Sequence, residues 1–253
     1  MNFVGIDIGS TSAKTIVMDE GKNIIFKSVI PTGWSSVETA KSIEKQLEDQ
    51  GITKDNAKVI ATGYGRISVP YADKTYTEIT CHGRGAAYIY EDQCTVIDIG
   101  GQDTKVINLE DGLVTDFIMN DKCSAGTGRF LEIMANTLGV TLGELSDLAR
   151  EGKGVSISSM CTVFAESEVI SLIGSGAKRE DIAYGVVDSI TSKVKSLCSK
   201  QGNSGSYYLT GGLCENEYIL DRLSQKLEVK VQAKPLGRYA GAIGAALLCE
   251  KLK

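Results

Sequence analysis

Residues 95–105 read Thr95-Val-Ile-Asp98-Ile-Gly100-Gly101-Gln102-Asp103-Thr104-Lys105. The same opening Asp-Ile-Gly and the same closing lysine occur earlier, where residues 7–14 read Asp7-Ile-Gly9-Ser10-Thr11-Ser12-Ala13-Lys14. Each copy joins an apolar strand, a glycine-rich turn and a second strand, and an internal repeat of this kind sets the architecture. We therefore predict an α/β protein of two tandem lobes, residues 1–92 and 93–253, each with the order strand, strand, strand, helix, strand.

Both turns carry residue types that bind phosphate. A glycine turn lets backbone N–H groups approach phosphate oxygens, while hydroxyls and a lysine ammonium add donors and positive charge. A carboxylate at the end of the preceding strand, Asp7 in one copy and Asp98 in the other, suits a hydrated Mg²⁺. Two ordinary hairpins are the alternative interpretation, which the second matching copy disfavours. The candidate phosphate-binding residues are Gly9, Ser10, Thr11, Ser12, Lys14, Gly100, Gly101, Gln102 and Thr104.

Composition narrows the function classes. The chain has 253 residues and a net charge of −5, which argues against nucleic acid or an anionic membrane as the main partner. Its seven cysteines show no regular spacing, so a reduced, cytoplasmic setting fits better than a disulfide framework. The most apolar stretch, Tyr239 to Cys249, is too short and too often broken by glycine to span a bilayer.

Helical periodicity recurs between the strands. One helix is expected to begin with a capping box, because Thr141 and Glu144 have the required spacing. An apolar-periodic run follows Cys161. The other predicted helices cover residues 36–50, 75–91, 126–138, 180–200, 213–227 and 239–251.

Two cysteines stand where helices are expected to begin. Cys123 comes just before Ser124-Ala-Gly-Thr-Gly, and Cys161 comes just before Thr162-Val-Phe-Ala-Glu166. A helix N-terminus favours negative charge and lowers the pKa of a thiol, so such a pair suits an anionic cluster. Two cysteines cannot supply the four thiolates of a [4Fe–4S] centre, although a two-fold dimer would. Two buried cysteines that merely cap helices are the alternative, and we expect the other five, Cys81, Cys94, Cys198, Cys214 and Cys249, to lie in the core.

The repeated plan resembles the actin, sugar kinase and Hsp70 superfamily. The resemblance also rests on Thr210-Gly211-Gly212 at the end of a strand, on Asn216 in the helix that follows, and on the Gly/Ala-rich segment from Tyr239 to Ala245. It implies an actin-like (ribonuclease H-like) ATPase fold of two βββαβα lobes, with ATP or ADP in the cleft between them. It also implies that Thr210, Gly211, Gly212 and Asn216 lie at the nucleoside.

The cysteine motifs resemble a narrower group, the activator ATPases of 2-hydroxyacyl-CoA dehydratases, which are related to the ATPase subunits of benzoyl-CoA reductase. The matching segments are Asn120-Asp-Lys-Cys123-Ser-Ala-Gly-Thr-Gly-Arg129-Phe-Leu-Glu132, Cys161-Thr-Val-Phe-Ala-Glu166-Ser-Glu168-Val-Ile and Ala61-Thr-Gly63-Tyr-Gly65-Arg66. In that family a homodimer holds one [4Fe–4S] cluster between its subunits and takes an electron from reduced ferredoxin or flavodoxin. ATP then drives a conformational change that passes the electron to the dehydratase at very low potential. The resemblance implies Cys123 and Cys161 as cluster ligands.

Some questions stay open at the level of sequence. The group that orients the attacking water is Asp98, Gln102, Asp103 or Glu166, with Asp7 as the further catalytic carboxylate. A benzoyl-CoA reductase-type ATPase subunit and a small-molecule kinase of the same fold are the enzymatic alternatives. An ATP-dependent redox sensor is the non-enzymatic one.

Overall fold

The computed structural model describes residues 1–158, 161–201 and 205–252. Its elements alternate as the repeat predicts. The first half contains β1 (Asn2–Ile8), β2 (Ser12–Met18), β3 (Ile24–Pro31), α1 (Ser36–Asp49), β4 (Ala57–Thr62), β5 (Lys74–Thr75) and α2 (Glu78–Ile89). The second half contains β6 (Cys94–Ile99), β7 (Thr104–Glu110), β8 (Leu113–Asn120), α3 (Gly128–Leu138), α4 (Leu142–Glu151), α5 (Thr162–Gly174), α6 (Arg179–Gln201), β9 (Tyr207–Gly211), α7 (Glu217–Leu227), β10 (Val231–Gln232) and α8 (Ala240–Leu248).

Two five-stranded sheets share one topology. The first has the order β3-β2-β1-β4-β5 and the second β10-β9-β6-β7-β8. In each, the strand that leads into the glycine turn is central and has a parallel neighbour, β4 beside β1 and β9 beside β6. The registers match as well, because Asp7 pairs with Thr62 and Asp98 pairs with Thr210. A threonine therefore stands beside each strand-end aspartate.

The chain divides into two compact units. The first contains Met1–Gln93, the hairpin tip Leu109–Thr115 and the segment from Leu236 onward, and the second contains Cys94–Asn108 and Asp116–Pro235. The division differs from the expected second lobe of residues 93–253, because α8 returns to the first unit. Glycines explain the return. A side chain at Gly5, Gly85 or Gly244 would overlap the backbone of the element that packs against it.

Each unit has its own core. In the first, Ile43 and Leu47 of α1 are buried against the sheet, and the side chain of Ser35 caps the helix by accepting a hydrogen bond from the N–H of Glu38. In the second, α3, α4, α6 and α7 bury apolar side chains with β6 and β9. The capping box of Thr141 and Glu144 is present, as predicted. Among the described residues, no helix is both long and apolar enough to cross a membrane.

Five helices are shorter than the periodicity predicts. Of these, α1 ends one residue before the end of the expected 36–50, and α2 covers Glu78–Ile89 instead of 75–91. The helix expected over 126–138 begins at Gly128, because Gly126 has a left-handed backbone with φ +91°. The helix expected over 213–227 begins at Glu217, after its cap Asn216. The helix expected over 239–251 ends at Leu248, and the following residues form a short 3₁₀ turn.

Candidate functional site

The first glycine turn is shaped by its backbone. The N–H of Gly9 donates to the carbonyl of Ser12 at 3.2 Å, and the N–H of Thr32 donates to the carbonyl of Thr11 at 3.0 Å. The hydroxyl of Thr32 donates to the carbonyl of Gly9 at 2.8 Å. The conformation of the turn is thus fixed mainly through its carbonyls. Of its hydroxyl side chains, Thr11 is exposed and Ser10 and Ser12 are half-buried.

Lys14 follows this turn and has an accessible charge. Its Nζ atom lies 3.3 Å from the carbonyl oxygen of Ser12, and its side chain is half-buried. No carboxylate in the described ranges lies within ion-pair distance of the ammonium. A lysine ammonium without a counterion beside a glycine turn is well suited to a phosphate.

Asp7 is the second-last residue of β1 and is 7% exposed. Within the part of the chain that the structure describes, its Oδ1 atom is buried without a hydrogen-bond partner. The neighbouring hydroxyl of Thr62 donates elsewhere, to the carbonyl of Tyr76 at 3.1 Å. A buried carboxylate oxygen without a partner is unfavourable by itself, so this position fits a site for a cation such as Mg²⁺.

The second glycine turn has a closed set of ion pairs. Lys105 is 1% exposed, and its Nζ atom lies 2.5 Å from Asp103 Oδ1 and 3.3 Å from Asp98 Oδ2. The hydroxyl of Thr210 donates to Asp98 Oδ1 at 3.0 Å. Both carboxylates are therefore buried together with a positive charge. This arrangement braces the turn and leaves the charge of Lys105 unavailable for a ligand.

The candidates for orienting the attacking water are thus separated. Asp98 and Asp103 are held together by Lys105, whereas Gln102 is exposed at the turn. Glu166 lies elsewhere, because it accepts a hydrogen bond from the hydroxyl of Thr137 at 3.3 Å. Thr137 is nine residues beyond the first residue of α3, which corresponds to roughly 14 Å along a helix. The structure does not bring Glu166 to the other three.

The second turn is tied directly to the cysteine loop, residues 121–127, and to the first two residues of α3, which follow it. The N–H of Gly128 donates to the carbonyl of Gly100 at 2.8 Å, and the N–H of Arg129 donates to the carbonyl of Gly101 at 2.9 Å. The hydroxyl of Thr104 donates to the carbonyl of Gly126 at 2.6 Å. Thr104 is fully buried, so the expectation that its hydroxyl faces a phosphate is wrong. It joins the turn to the loop.

The segments of Cys123 and Cys161 lie side by side. The hydroxyls of Ser124 and Thr162, the residues that follow the two cysteines, are 2.8 Å apart. Cys161 is exposed and is the N-cap residue of α5, as predicted. Cys123 is half-buried and stands in a loop rather than at a helix start, because α3 begins five residues later.

The other five cysteines are buried, as expected. Burial raises the pKa of Cys81, Cys198 and Cys249 to about 12, which keeps these thiols protonated. None of the seven cysteines is in a disulfide. Cys123 and Cys161 are therefore the two thiols best placed to ligate metal.

The strand that ends in the predicted nucleoside motif lies beside the second turn. Gly211 has φ +83°, and a Cβ there would lie 2.5 Å from the carbonyl oxygen of Ile99. Gly212 has open space around it. Asn216 caps α7, since its Oδ1 accepts from the N–H of Ile219 at 3.1 Å and its Nδ2 donates to Ser146 Oγ at 2.8 Å. A role for Asn216 at the nucleoside stays a prediction.

Three features of the site are not predicted from the sequence: the pairing of two Thr-Gly dipeptides, the burial of Lys105 and the position of α8 against Asp7. The Thr-Gly pairs Thr62-Gly63 and Thr210-Gly211 are counterparts, with φ of +84° and +83° at their glycines. The same dipeptide at the ends of two buried strands is a sequence signal that could have predicted this equivalence. The burial of Lys105 and the position of α8 against Asp7 depend on tertiary packing and have no such signal.

Comparison with known proteins identifies the family. The model of the BadF/BadG/BcrA/BcrD ATPase family matches residues 4–249. The chain belongs to this family. It is therefore an ATPase, as the sequence predicts.

Relatives of known activity cover nearly the whole chain. The (R)-2-hydroxyglutaryl-CoA dehydratase activating ATPase of Acidaminococcus fermentans is 46% identical over 251 residues, 98% of this chain and 96% of that protein. The activator of lactoyl-CoA dehydratase of Anaerotignum propionicum is 41% identical over 250 residues, 98% of this chain and 96% of that one. One of the benzoyl-CoA reductase subunits of Thauera aromatica is 31% identical over 256 residues, 96% and 91% respectively.

Solved structures agree with the fold. Component A of the Acidaminococcus fermentans (R)-2-hydroxyglutaryl-CoA dehydratase matches with a TM-score of 0.92 at 44% identity, over 99% of this chain and 98% of that one. The activator of the Clostridium difficile 2-hydroxyisocaproyl-CoA dehydratase, with bound ADPNP, gives 0.91 at 38% identity over 100% and 98%. A ROK family glucokinase from Streptomyces griseus gives 0.63 at 14% identity over the whole of both chains, which shows a common fold alone. The predicted actin-like ATPase fold is confirmed.

Proposed function

We propose that this protein is an ATP-dependent activator of a 2-hydroxyacyl-CoA dehydratase, and that it couples ATP hydrolysis to single-electron transfer at low potential. The observation that carries the proposal is the bonding of the second glycine turn to the cysteine loop and to the first two residues of α3, which follow it. Three hydrogen bonds join these segments, from Gly128, Arg129 and Thr104. The relatives from Acidaminococcus fermentans and Anaerotignum propionicum are named as activators of such dehydratases, which supports the same function here.

The first turn is assigned to the phosphates of ATP. Lys14 supplies a positive charge without a counterion, and Ser10, Thr11 and Ser12 supply hydroxyls. Asp7 is assigned to the hydrated Mg²⁺ of the nucleotide, because its buried Oδ1 atom has no partner among the described residues. Backbone N–H groups at Gly101 and Gln102 complete the phosphate contacts, while Gly9 and Gly100, whose N–H groups bond within their own turns, let the backbone approach the phosphates without a side chain in the way. Thr210, Gly211, Gly212 and Asn216 are assigned to the nucleoside.

Gln102 is the group that we assign to the attacking water. Asp98 and Asp103 are paired with Lys105, so their role is to brace the turn, and Glu166 is engaged by Thr137. Gln102 is exposed and has an amide that can hold water by donating and accepting. Orientation of water by such a group, with electrostatic stabilisation of the phosphoryl oxygens, is what nucleotide hydrolysis requires.

Cys123 and Cys161 are assigned to a [4Fe–4S] cluster. They are the accessible thiols, and the bridge between Ser124 and Thr162 keeps their segments adjacent. Two thiolates are half of the set that the cluster needs, so a homodimer would supply four. Val163 and Phe164 follow Cys161 and are 67% and 68% exposed, which suits burial in an interface. When bound, the cluster supplies one-electron chemistry, with reduced ferredoxin or flavodoxin in the cytoplasm as the electron source.

The chain's own bonds provide the coupling. The carbonyls of Gly100 and Gly101 accept hydrogen bonds from the N–H groups of Gly128 and Arg129. A nucleotide that contacts the backbone at Gly100 and Gly101 therefore acts on residues that are bonded to the start of α3. A shift of this turn therefore reaches the loop of Cys123, and the Ser124–Thr162 bridge passes it to the start of α5. ATP drives the change only through contacts that differ between the two states.

The test is the accessibility of cluster iron to a chelator, measured anaerobically with ATP, with ADP and without nucleotide. We expect ATP to change the chelation rate by about tenfold, within the usual range of coupling between sites. The same protein should activate a 2-hydroxyacyl-CoA dehydratase only with ATP and a reduced donor. A chelation rate that does not respond to ATP, together with no activation, would contradict the proposal.

A second candidate is an ATPase subunit of a benzoyl-CoA reductase-type assembly, which the relative from Thauera aromatica favours. A subunit of that kind needs other subunits for a stable assembly, whereas the activator is stable as a lone homodimer. The mass of the purified protein in solution separates the two. A small-molecule kinase has support from fold alone, and a panel of sugars and acids assayed for phosphate transfer would detect it.

A further inference from the structure

The first turn of α8 lies against the carboxylate of Asp7. A methyl carbon added at Gly241 would lie 2.5 Å from Asp7 Oδ2, 3.0 Å from its Cγ and 3.5 Å from its Cβ. These three atoms are the nearest neighbours of the position, and all belong to Asp7. The absence of a side chain at residue 241 therefore leaves the space that the Asp7 carboxylate occupies.

Gly63 lies against the other oxygen of the same carboxylate. A Cβ at Gly63 would lie 2.5 Å from Asp7 Oδ1 and 2.5 Å from the carbonyl oxygen of Ile8. Oδ1 is also the atom without a hydrogen-bond partner in the described ranges. The carboxylate therefore occupies a slot between two glycines, and the slot fixes its direction without using its lone pairs.

Gly241 differs from the other glycines at the contacts between α8 and its neighbours. At Gly5, Gly85 and Gly244 a side chain would overlap backbone, so these glycines serve the packing of the helix itself. At Gly241 the three atoms nearest to an added side chain are Oδ2, Cγ and Cβ of one aspartate, and none of them is backbone. Helix packing does not require glycine there, which leaves the direction of Asp7 as the reason for it.

We propose that Gly241 is a positioning residue that holds the Asp7 carboxylate in the direction needed to bind the divalent cation of the nucleotide. The inference rests on the proposed function, in which Asp7 serves this cation. It adds that the C-terminal helix, through one missing side chain, sets the cation affinity of a site formed at the other end of the chain.

The variant Gly241→Ala separates this role from folding. The methyl group displaces a side chain that can rotate about χ1, and alanine is a better helix former than glycine, so the variant should fold. Gly143→Ala is a matched control. Gly143 is likewise the second residue of its helix, α4, and a methyl group there makes only ordinary contact with Thr141.

The experiment is a titration with Mn²⁺ as the probe, followed by electron paramagnetic resonance on ADP-saturated protein under anaerobic conditions. We expect Gly241→Ala to weaken Mn²⁺ binding by about tenfold or more, as loss of a supporting residue does at other metal sites. Gly143→Ala should bind Mn²⁺ as the unaltered protein does, and Asp7→Asn should bind it most weakly.

The result that overturns the inference is normal Mn²⁺ affinity in Gly241→Ala together with a clear loss in Asp7→Asn. That pattern leaves the proposed function standing. Normal affinity in both variants would instead remove Asp7 from the cation site and with it the basis of the inference. If Gly241→Ala is destabilised, its unfolding is measured in an Asp7→Ala background, where the two closest atoms, Oδ2 and Cγ, are gone and only the Cβ at 3.5 Å remains. The destabilisation should disappear there, and its persistence would show that Gly241 acts on the backbone.

Discussion

In the first glycine turn, Lys14 extends towards the turn without a carboxylate partner in the described ranges, and Asp7 has an unpaired buried oxygen. In the second turn, the equivalent Lys105 is buried between Asp98 and Asp103, and Asp98 also accepts a hydrogen bond from Thr210. The strand order and register around the two turns are the same. One turn therefore keeps its polar groups for a ligand, and the other uses them to hold itself together.

Two substitutions within the repeat account for much of this difference. Asp103 stands where the first copy has Ser12, and it supplies the carboxylate that binds Lys105. Thr104 stands where the first copy has Ala13, and it supplies the hydroxyl that binds the cysteine loop. A repeat in sequence thus predicts a repeated backbone, while the function of each position has to be read from its partners.

The largest expected effect is that of Lys105→Met on stability. Removal of the ammonium leaves two buried carboxylates side by side, and breaking a buried ion pair in this way costs about 3–5 kcal/mol of the free energy of unfolding. Urea denaturation measures the loss. Lys14→Met is the control, and because Lys14 has no ion pair to lose it should change the free energy by less than about 1 kcal/mol. Equal losses of unfolding free energy in the two variants would contradict the difference between the two turns.

The next effect is that of Ser12→Asp on nucleotide affinity. The new carboxylate mimics Asp103 beside Lys14, so it should pair with the ammonium and repel phosphate. Loss of one charge-assisted contact of about 1.5–3 kcal/mol weakens ATP binding by roughly tenfold to a hundredfold, which isothermal titration calorimetry measures. Ser42→Asp adds the same charge at an exposed position of α1 and should leave the affinity unchanged. Unaltered affinity in Ser12→Asp would show that Lys14 does not bind phosphate.

Thr104→Val should have a smaller effect on stability and a specific effect on coupling. It leaves the buried carbonyl of Gly126 without its 2.6 Å hydrogen bond, at a cost of about 1–3 kcal/mol. The response of iron chelation to ATP should weaken. Thr191→Val is the control, because the hydroxyl of Thr191 is also buried but bonds within its own helix, to Val187 and Asp188. If both variants lose the response alike, the effect comes from stability rather than from the joint between turn and loop.

The smallest expected effect is the extent to which iodoacetamide modifies the buried Cys81. Cys81 is a buried residue of α2, and burial raises its pKa to about 12, so almost none of it is thiolate at pH 8. Raising the pH from 8 to 9 increases the thiolate fraction about tenfold but leaves it small. Iodoacetamide on protein free of metal should therefore modify Cys123 and Cys161 and spare Cys81, which mass spectrometry of peptides detects. Rapid modification of Cys81 would show that the packing of α2 on α8 opens, since the backbone of Cys81 lies against Gly244.

The features that the sequence predicts are those with short-range or repeated patterns. The actin-like fold, the paired glycine turns and the capping box of Thr141 and Glu144 belong here. So does the N-cap position of Cys161, because an apolar-periodic run follows it. Each depends on residues that are neighbours along the chain.

The features that the sequence does not predict depend on distant partners. The return of α8 to the first unit requires glycines far apart in sequence, such as Gly85 and Gly244, to meet backbone. The burial of Lys105 depends on a core that closes over it, and the start of α3 depends on the left-handed backbone of Gly126. No local pattern carries this information.

Iron and acid-labile sulfide per chain, determined on anaerobically purified protein together with its mass in solution, test the proposed activator most directly. We predict about two irons and two sulfides per chain in a dimer. Both should be lost in Cys123→Ser and in Cys161→Ser. They should be retained in Cys249→Ser, where a hydroxyl replaces a buried thiol that lies 3.4 Å from the carbonyl of Val4. Absence of iron after anaerobic reconstitution, in protein that still binds ATP, would contradict the account.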